Sequence, residues 1–168
     1  MHLAIYIGML HRAEQTLADS FHTVGAAHAA EADVPHICLT LAAMSEEHVR
    51  LLSPIAARYG EQTAGPELQD PARLHADGVA EGRTGALGLL RDLQDLYMPA
   101  ALAQTTWTVV YHPAQALRDQ ELQKAAEIAN DDASRQMAWL NTRLKAAAPR
   151  PSSSRRNPTR GIDDHRTP

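Results

Sequence analysis

The chain has 168 residues, enough for one domain with a substantial core, and a formal net charge of −4. This mild negative charge gives no general attraction to nucleic acid, so we expect no specific nucleic-acid partner. The single cysteine, Cys38, cannot form an internal disulfide, which fits a reducing compartment and predicts a cytoplasmic protein.

The N-terminal stretch MHLAIYIGMLHRAE predicts neither a secretory signal nor a membrane span. It is apolar but short, it lacks a basic leading region and a cleavage site, and it soon reaches Arg12 and Glu14. Residues 3 to 31 carry core-facing positions at alternating spacings of four and three, which is typical of one buried helix face. These positions are Leu3, Ile7, Leu10, Glu14, Leu17, Phe21, Val24, His28 and Glu31.

The same spacing predicts a second helix that ends at Gly60. Asp33 is a candidate cap, Pro35 is tolerated in the first turn, and Pro54 predicts a kink or an early end. The core face comprises Val34, Cys38, Leu41, Ser45, His48, Leu52, Ile55 and Tyr59.

Residues 60–85 are rich in Gly, Pro and Asp and predict a linker, with one short helical turn at residues 71–78. A helix of about 25 residues is roughly 37 Å long. An extended linker of this length can therefore cross a whole helical bundle.

The third segment combines a helical stripe with the sequence TTWTVVY, whose residues favour strands. Because the sequence offers no partner strand, we predict a helix, with irregularities at Pro99 and Pro113. The stripe comprises Leu89, Leu93, Leu96, Ala100, Ala103, Trp107, Val110, Ala114 and Leu117.

The fourth segment predicts a helix capped by Asp119. Its core face comprises Leu122, Ala126, Ala129, Ala133, Gln136 and Leu140. Acidic residues on the third and fourth segments are predicted to form solvated faces: Asp92, Asp95, Glu127, Asp131 and Asp132.

The C-terminal residues 148–168 predict a disordered tail, because they are too polar to form a core. Five arginines against two aspartates give this tail a charge of about +3, which leaves about −7 on the rest of the chain. An unknown protein partner that binds through this basic tail is one interpretation, and a solvated end is the favoured one.

Four helices with a long middle connection predict an all-α, antiparallel four-helix bundle of two hairpins, spanning residues 1–147. The two halves correspond weakly. A shift of 88 residues places Ser45 and His48 on Ala133 and Gln136, so that SEEHVRLL matches ASRQMAWL.

With HRAEQTLADSF, LAAMSEEHVRLL and AEIANDDASRQMAWLNTRL as its helices, the chain resembles the ferritin-like superfamily. It is most similar to small bacterial ferritin-like proteins of the YciE/YciF type, domain of unknown function 892, over residues 3 to 147. This resemblance implies a bundle, a stress-related setting and a site for two metal ions. Such sites take a Glu from each of two helices and a Glu-x-x-His from each of the other two.

Carried over to this chain, the resemblance implies a degenerate di-iron site. Glu14 and His48 match ligands, whereas the other expected positions hold Ser45, Ala133 and Gln136, with Gln104 or Thr105 on the third helix. Two of the six expected ligands remain. Because two adjacent divalent ions need several anionic ligands, we expect no di-iron oxidation and predict no cofactor.

The favoured interpretation is a buried hydrogen-bonded network of Glu14, Ser45, His48, Gln104 and Gln136. The alternatives are a single weakly bound metal ion at Glu14 and His48, or another ligand. In function, these correspond to a non-catalytic binding or structural protein, or to a metal-binding oxidase or peroxidase with rearranged ligands. A homo-oligomeric assembly module is the third alternative, since bundles often pair through a face.

A second group of polar residues surrounds the first inter-helix turn. His28, Glu31 and His36 are candidate zinc ligands, with His22 nearby. Their spacing matches no tight metal motif, so a chance cluster is the favoured interpretation.

Overall fold

A computed structural model describes residues 2–60 and 77–149. It contains four α-helices: α1 (His2–Ala27), α2 (Val34–Tyr59), α3 (Gly85–Ala116) and α4 (Gln120–Ala147). No strand occurs within the described ranges, which confirms the all-α prediction at this level. The predicted helical turn at 71–78 and the predicted tail at 148–168 lie almost entirely outside the described residues.

The helices pack as two hairpins. α1 contacts α2, and α3 contacts α4, while α1 also packs against α3 and α2 against α4. The apolar core has two clusters, which form the two ends of the bundle. The first core cluster contains Leu17, Phe21, Val24, Val34, Cys38, Leu41, Leu89, Leu93, Leu96 and Leu140. The second core cluster contains Ile7, Leu10, Leu52, Ile55, Trp107, Val110, Leu122 and Ala126.

The third helix runs without interruption through the strand-like sequence TTWTVVY and past both Pro99 and Pro113. The prediction of a helix is therefore confirmed. The hydroxyls of Thr105, Thr106 and Thr108 donate to carbonyl oxygens three or four residues earlier in the same helix. These local bonds accommodate residues of low helix propensity, and burial of the apolar stripe outweighs that propensity.

Helix ends agree with the predictions in part. Gly60 closes α2 in the left-handed conformation with φ +68, and the Asp119 carboxylate caps α4 by accepting from the Leu122 N–H at 3.1 Å. Asp33 occupies the N-cap position of α2 as predicted, but its side chain makes no capping bond and instead lies 3.2 Å from Arg143 Nε. Helix α2 continues past Pro54 to Tyr59.

Residues 77–84, which we call the strap, lie along α1 before α3 begins. Val79 is buried in the first core cluster, and its N–H donates to Ser20 Oγ at 3.0 Å. Gly82 lies against the last turn of α1, where an added Cβ would overlap Ala27 Cβ. The strap is therefore a packed part of the fold. None of the described helices has the combination of length and apolar composition that is needed to cross a membrane.

We predict that Gly82→Ala destabilises the bundle by about 1–3 kcal/mol, because the new methyl group must displace the strap from α1. Gly8→Ala is the matched control. A Cβ at Gly8, inside α1, meets no atom within 4 Å. This control should gain roughly 0.5–1 kcal/mol from helix propensity. Urea unfolding followed by circular dichroism measures both changes, and equal stabilities would contradict the packed position of the strap.

Candidate functional site

A polar centre lies where the two core clusters meet, and each of the four helices contributes one residue to it. Glu14 comes from α1, His48 from α2, Trp107 from α3 and Asp132 from α4. Glu14 and His48 are fully buried, each at 0% exposure. Since a buried charge is costly unless it is paired, the contacts of Glu14 determine whether this centre is stable.

Trp107 holds the Glu14 carboxylate. Its indole N–H donates to Glu14 Oε1 at 2.6 Å, and its ring meets the His48 ring edge-on at a centroid distance of 5.8 Å. Trp107 was predicted only as a member of the apolar stripe. One signal in the sequence could have identified its second role, because a buried tryptophan N–H needs an acceptor and Glu14 lies on the facing core seam.

His48 lies between two carboxylates. Its Nδ1 is 3.1 Å from Glu14 Oε1, and its Nε2 is 3.3 Å from Asp132 Oδ2. The Nδ1 contact has the length of a hydrogen bond but not its alignment, so we describe it as an ion-pair contact. Among the described residues, none hydrogen-bonds to the second carboxylate oxygen, Glu14 Oε2. Compensation of the Glu14 charge therefore depends on Trp107 and His48.

The two carboxylates change the protonation of His48. Burial is the largest single effect and lowers the pKa of the imidazole. The carboxylates of Glu14 and Asp132 together outweigh burial, so that the pKa of His48 lies above its ordinary value. An imidazolium at this position can neutralise Glu14 on one side and face Asp132 on the other.

A second polar contact lies about one turn from His48. Gln136 donates from Nε2 both to Ser45 Oγ at 3.0 Å and to the Leu41 carbonyl oxygen at 3.1 Å. Ser45 and Gln136 are both buried, so the structure brings together these two residues of the predicted network. The hydrogen bonds of the described residues do not join this pair to Glu14, so Ser45 and Gln136 form a separate polar contact beside the centre.

Two predictions about individual side chains need correction. Gln104 lies outside the centre, where it is partly exposed and donates to Ser134 Oγ at 3.3 Å. Asp132 was assigned to a solvated face, yet its side chain is only 15% exposed and contacts His48. Asp132 adjoins Ala133 on the core face of α4, so it lies at the edge of that face.

The candidate zinc ligands around the first turn do not converge. His28 is buried and its Nε2 lies 2.8 Å from Asp92 Oδ2 on α3. Glu31 instead pairs with Arg143 at 2.7 Å, and His36 is exposed.

Asp92 is itself a correction, because it was predicted on a solvated face and is fully buried. Besides His28, it accepts hydrogen bonds from the backbone N–H and from the guanidinium of Arg83, both at 2.7 Å. Since Arg83 belongs to the strap, Asp92 on α3 joins the turn that follows α1 to the strap. A carboxylate with this number of charged and backbone donors fulfils a structural role.

Metal ligation is limited by the direction of the ring nitrogens. His48 presents Nδ1 to Glu14 and Nε2 to Asp132, so one ion cannot bind both carboxylates through this histidine. Each side of the ring offers one nitrogen and one carboxylate. Within residues 2–60 and 77–149, no group of three or more His, Cys, Asp or Glu side chains is arranged to hold a metal ion.

Comparisons with models of known protein families, with curated proteins and with solved structures return no significant match.

The raised pKa of His48 predicts a specific dependence of stability on pH. A histidine with a higher pKa in the folded state binds its proton more tightly there than in the unfolded chain. Its contribution is therefore fully present below pH about 6.5, the unfolded value, and is lost as pH rises through the folded pKa. We expect the free energy of unfolding to fall over this range because of His48.

The measurement is urea unfolding at a series of pH values for wild type, His48→Gln and His36→Gln. His48→Gln should lose this pH-dependent contribution, whereas His36→Gln, which alters an exposed histidine, should retain it. If wild type and His48→Gln differ in stability by the same amount at every pH, the assigned direction of the pKa shift is wrong.

Proposed function

We propose that this protein is a ferritin-like four-helix bundle with a structural polar centre, and that its role is non-catalytic binding or support. One observation carries this proposal: the Glu14 carboxylate is already engaged, by the Trp107 N–H at 2.6 Å and by His48 at 3.1 Å. A carboxylate held by protein groups in this way stabilises the bundle rather than a metal ion. The resemblance adds a stress-related setting, and the single cysteine, Cys38, adds a cytoplasmic one.

The packing supports a ferritin-like connection between the hairpins. The end of α2 contributes Ile55 to the second core cluster, and the start of α3 contributes Leu89 to the first. These positions support a long crossover that would carry the chain from one end of the bundle to the other between α2 and α3. The contact between Ser45 and Gln136 also supports a facing arrangement of the two half-sequences.

The charges at the centre weigh against two metal ions. Two divalent ions about 3.5–4 Å apart repel each other strongly and need several anionic ligands between and around them. The centre offers the carboxylates of Glu14 and Asp132 on opposite sides of His48. The hydroxyl of Ser45 and the amide of Gln136 are weak ligands for iron or manganese.

Asp132 favours one alternative, a metal-binding oxidase or peroxidase with rearranged ligands. Because α4 brings this carboxylate to 3.3 Å from His48, an ion could replace the proton on Nε2 and take both as ligands. Two protein ligands hold such an ion weakly, so a single ion of low affinity is the form that this alternative takes.

A homo-oligomeric assembly module is the other alternative, and large exposed apolar side chains on α3 favour it. The basic residues within 148–168 supply a further means of binding a protein partner, which is acidic by charge complementarity. Self-assembly and the binding of an acidic partner are each compatible with a structural polar centre.

We predict that the purified full-length chain, produced in medium supplemented with iron, manganese and zinc, contains much less than one ion per chain. We also expect no oxygen consumption above background when ferrous iron is added. Elemental analysis and an oxygen electrode provide these measurements. Near-stoichiometric metal that is lost in Glu14→Ala would overturn the proposal.

Ser45→Glu tests whether the metal ligands are missing from both α2 and α4 or from α2 alone. Alone, it should not create a site for two ions, because Ala133 and Gln136 leave both expected ligand positions of the fourth helix empty, and Asp132 faces the opposite side of His48 from Glu14. The matched control combines Ser45→Glu with Ala133→Glu and Gln136→His, and circular dichroism verifies that both variants fold. Two ions per chain in the single variant would show that the assignment of α4 is incorrect.

A further inference from the structure

The outer face of α3 carries large apolar side chains that are exposed. Leu87 is 63% exposed, Met98 65% and Val109 47%, which makes three of the six exposed large apolar side chains in the described part of the chain. Single exposed apolar residues are ordinary on soluble proteins. Their alignment on one helix is the informative feature.

These three residues lie on a straight line. Each is eleven residues from the next, and eleven residues complete about three helical turns. The line from Leu87 to Val109 is about 33 Å long at 1.5 Å per residue. The outer strip, as we call it, comprises Leu87, Arg91, Gln94, Met98, Ala101, Thr105 and Val109, with Arg91 as its single charged member.

The outer faces of other helices are charged. Exposed residues include Glu46 and Arg50 on α2, and Lys124, Asp131 and Arg135 on α4. A helix with apolar residues on its outward side as well as on its core side is usually covered on both. With Arg91 as its single charge, the outer strip gives a strongly charged partner little to bind, so a largely apolar surface fits it best.

We propose that the outer strip binds the outer strip of a second copy of this chain, antiparallel, with a twofold axis at Met98. The equal spacing on either side of Met98 supports this arrangement. A twofold rotation about Met98 places Leu87 of one copy against Val109 of the partner subunit, so that one strip is complementary to itself. This inference rests on the assembly alternative above and assigns the surface that it uses.

The composition of the strip favours a second copy over a membrane surface. Helices that lie on membranes carry several Lys or Arg residues and often Trp beside their apolar residues. The outer strip has one arginine and no lysine or tryptophan. The nearby Asp95 carboxylate is engaged by the Arg83 guanidinium at 2.7 Å and so does not oppose the pairing.

The strip is small. About 33 Å by 10 Å is less than the roughly 800 Å² that each partner buries in a standard stable interface. We therefore expect a reversible dimer with a dissociation constant in the micromolar range, in equilibrium with monomer.

The first experiment is sedimentation velocity of the full-length chain over micromolar to millimolar concentrations. Wild type should shift from monomer to dimer. Met98→Glu and Met98→Lys should each weaken dimerisation at least about tenfold, because like charges then meet on the axis. An equimolar mixture of these two variants should dimerise again, since opposite charges meet.

Leu39→Glu is the matched control. Leu39 is an apolar side chain of similar exposure, 55%, on α2, and it does not belong to the outer strip. This variant should dimerise like wild type. Restored dimerisation in the mixture is specific to contact at the axis, because a variant that merely misfolds would not be rescued.

A second measurement captures a weak dimer covalently. Met98→Cys should form an intermolecular disulfide under mild oxidation, whereas Leu39→Cys should form little. Native Cys38 does not interfere, because it is fully buried, and its burial, assisted by Asp33, raises the pKa of its thiol to about 12.

The outcomes distinguish a failure of the outer strip as the interface from a failure of the assembly alternative itself. A wild-type dimer that Met98→Glu leaves intact would remove the outer strip as the interface but keep the assembly alternative. A wild type that stays monomeric, with no faster cross-linking of Met98→Cys than of Leu39→Cys, would overturn both. An assembly larger than a dimer would overturn the twofold arrangement.

Discussion

The buried carboxylate of Glu14 is the constraint on which the centre of this bundle depends. An unpaired carboxylate in an apolar core costs several kcal/mol, so the fold must bring compensating groups to it. Here the indole N–H of Trp107 and the imidazole of His48 arrive from two other helices, at 2.6 and 3.1 Å. Correct packing of three helices is thereby coupled to the satisfaction of one charge.

This coupling explains why polar residues persist at the junction of two apolar clusters. His48 shares its charge between Glu14 and Asp132, while Gln136 satisfies Ser45 and a backbone carbonyl nearby. A hydrogen-bonded centre of this type specifies the register of facing helices, because a shift by one turn would leave a buried polar group without a partner.

A second buried carboxylate, that of Asp92, fixes the strap to the helices. Asp92 receives the backbone and the guanidinium of Arg83 and contacts His28. The strap also contributes Val79 to the core and donates to Ser20. The two carboxylates therefore work at different levels, since Glu14 aligns helices with one another and Asp92 attaches a non-helical segment to them.

The sequence by itself determined the four helices, since alternating spacings of three and four identify a core face whatever the partner helix is. It also identified Glu14 and His48 as polar residues on facing seams. Only the tertiary structure decided that Trp107 donates to Glu14, that Asp132 and Asp92 turn inward, and that Gln104 stays outside. Periodicity gives the side of a helix on which a residue lies. The rotation and separation of neighbouring helices decide which side chains at the edge of that side meet.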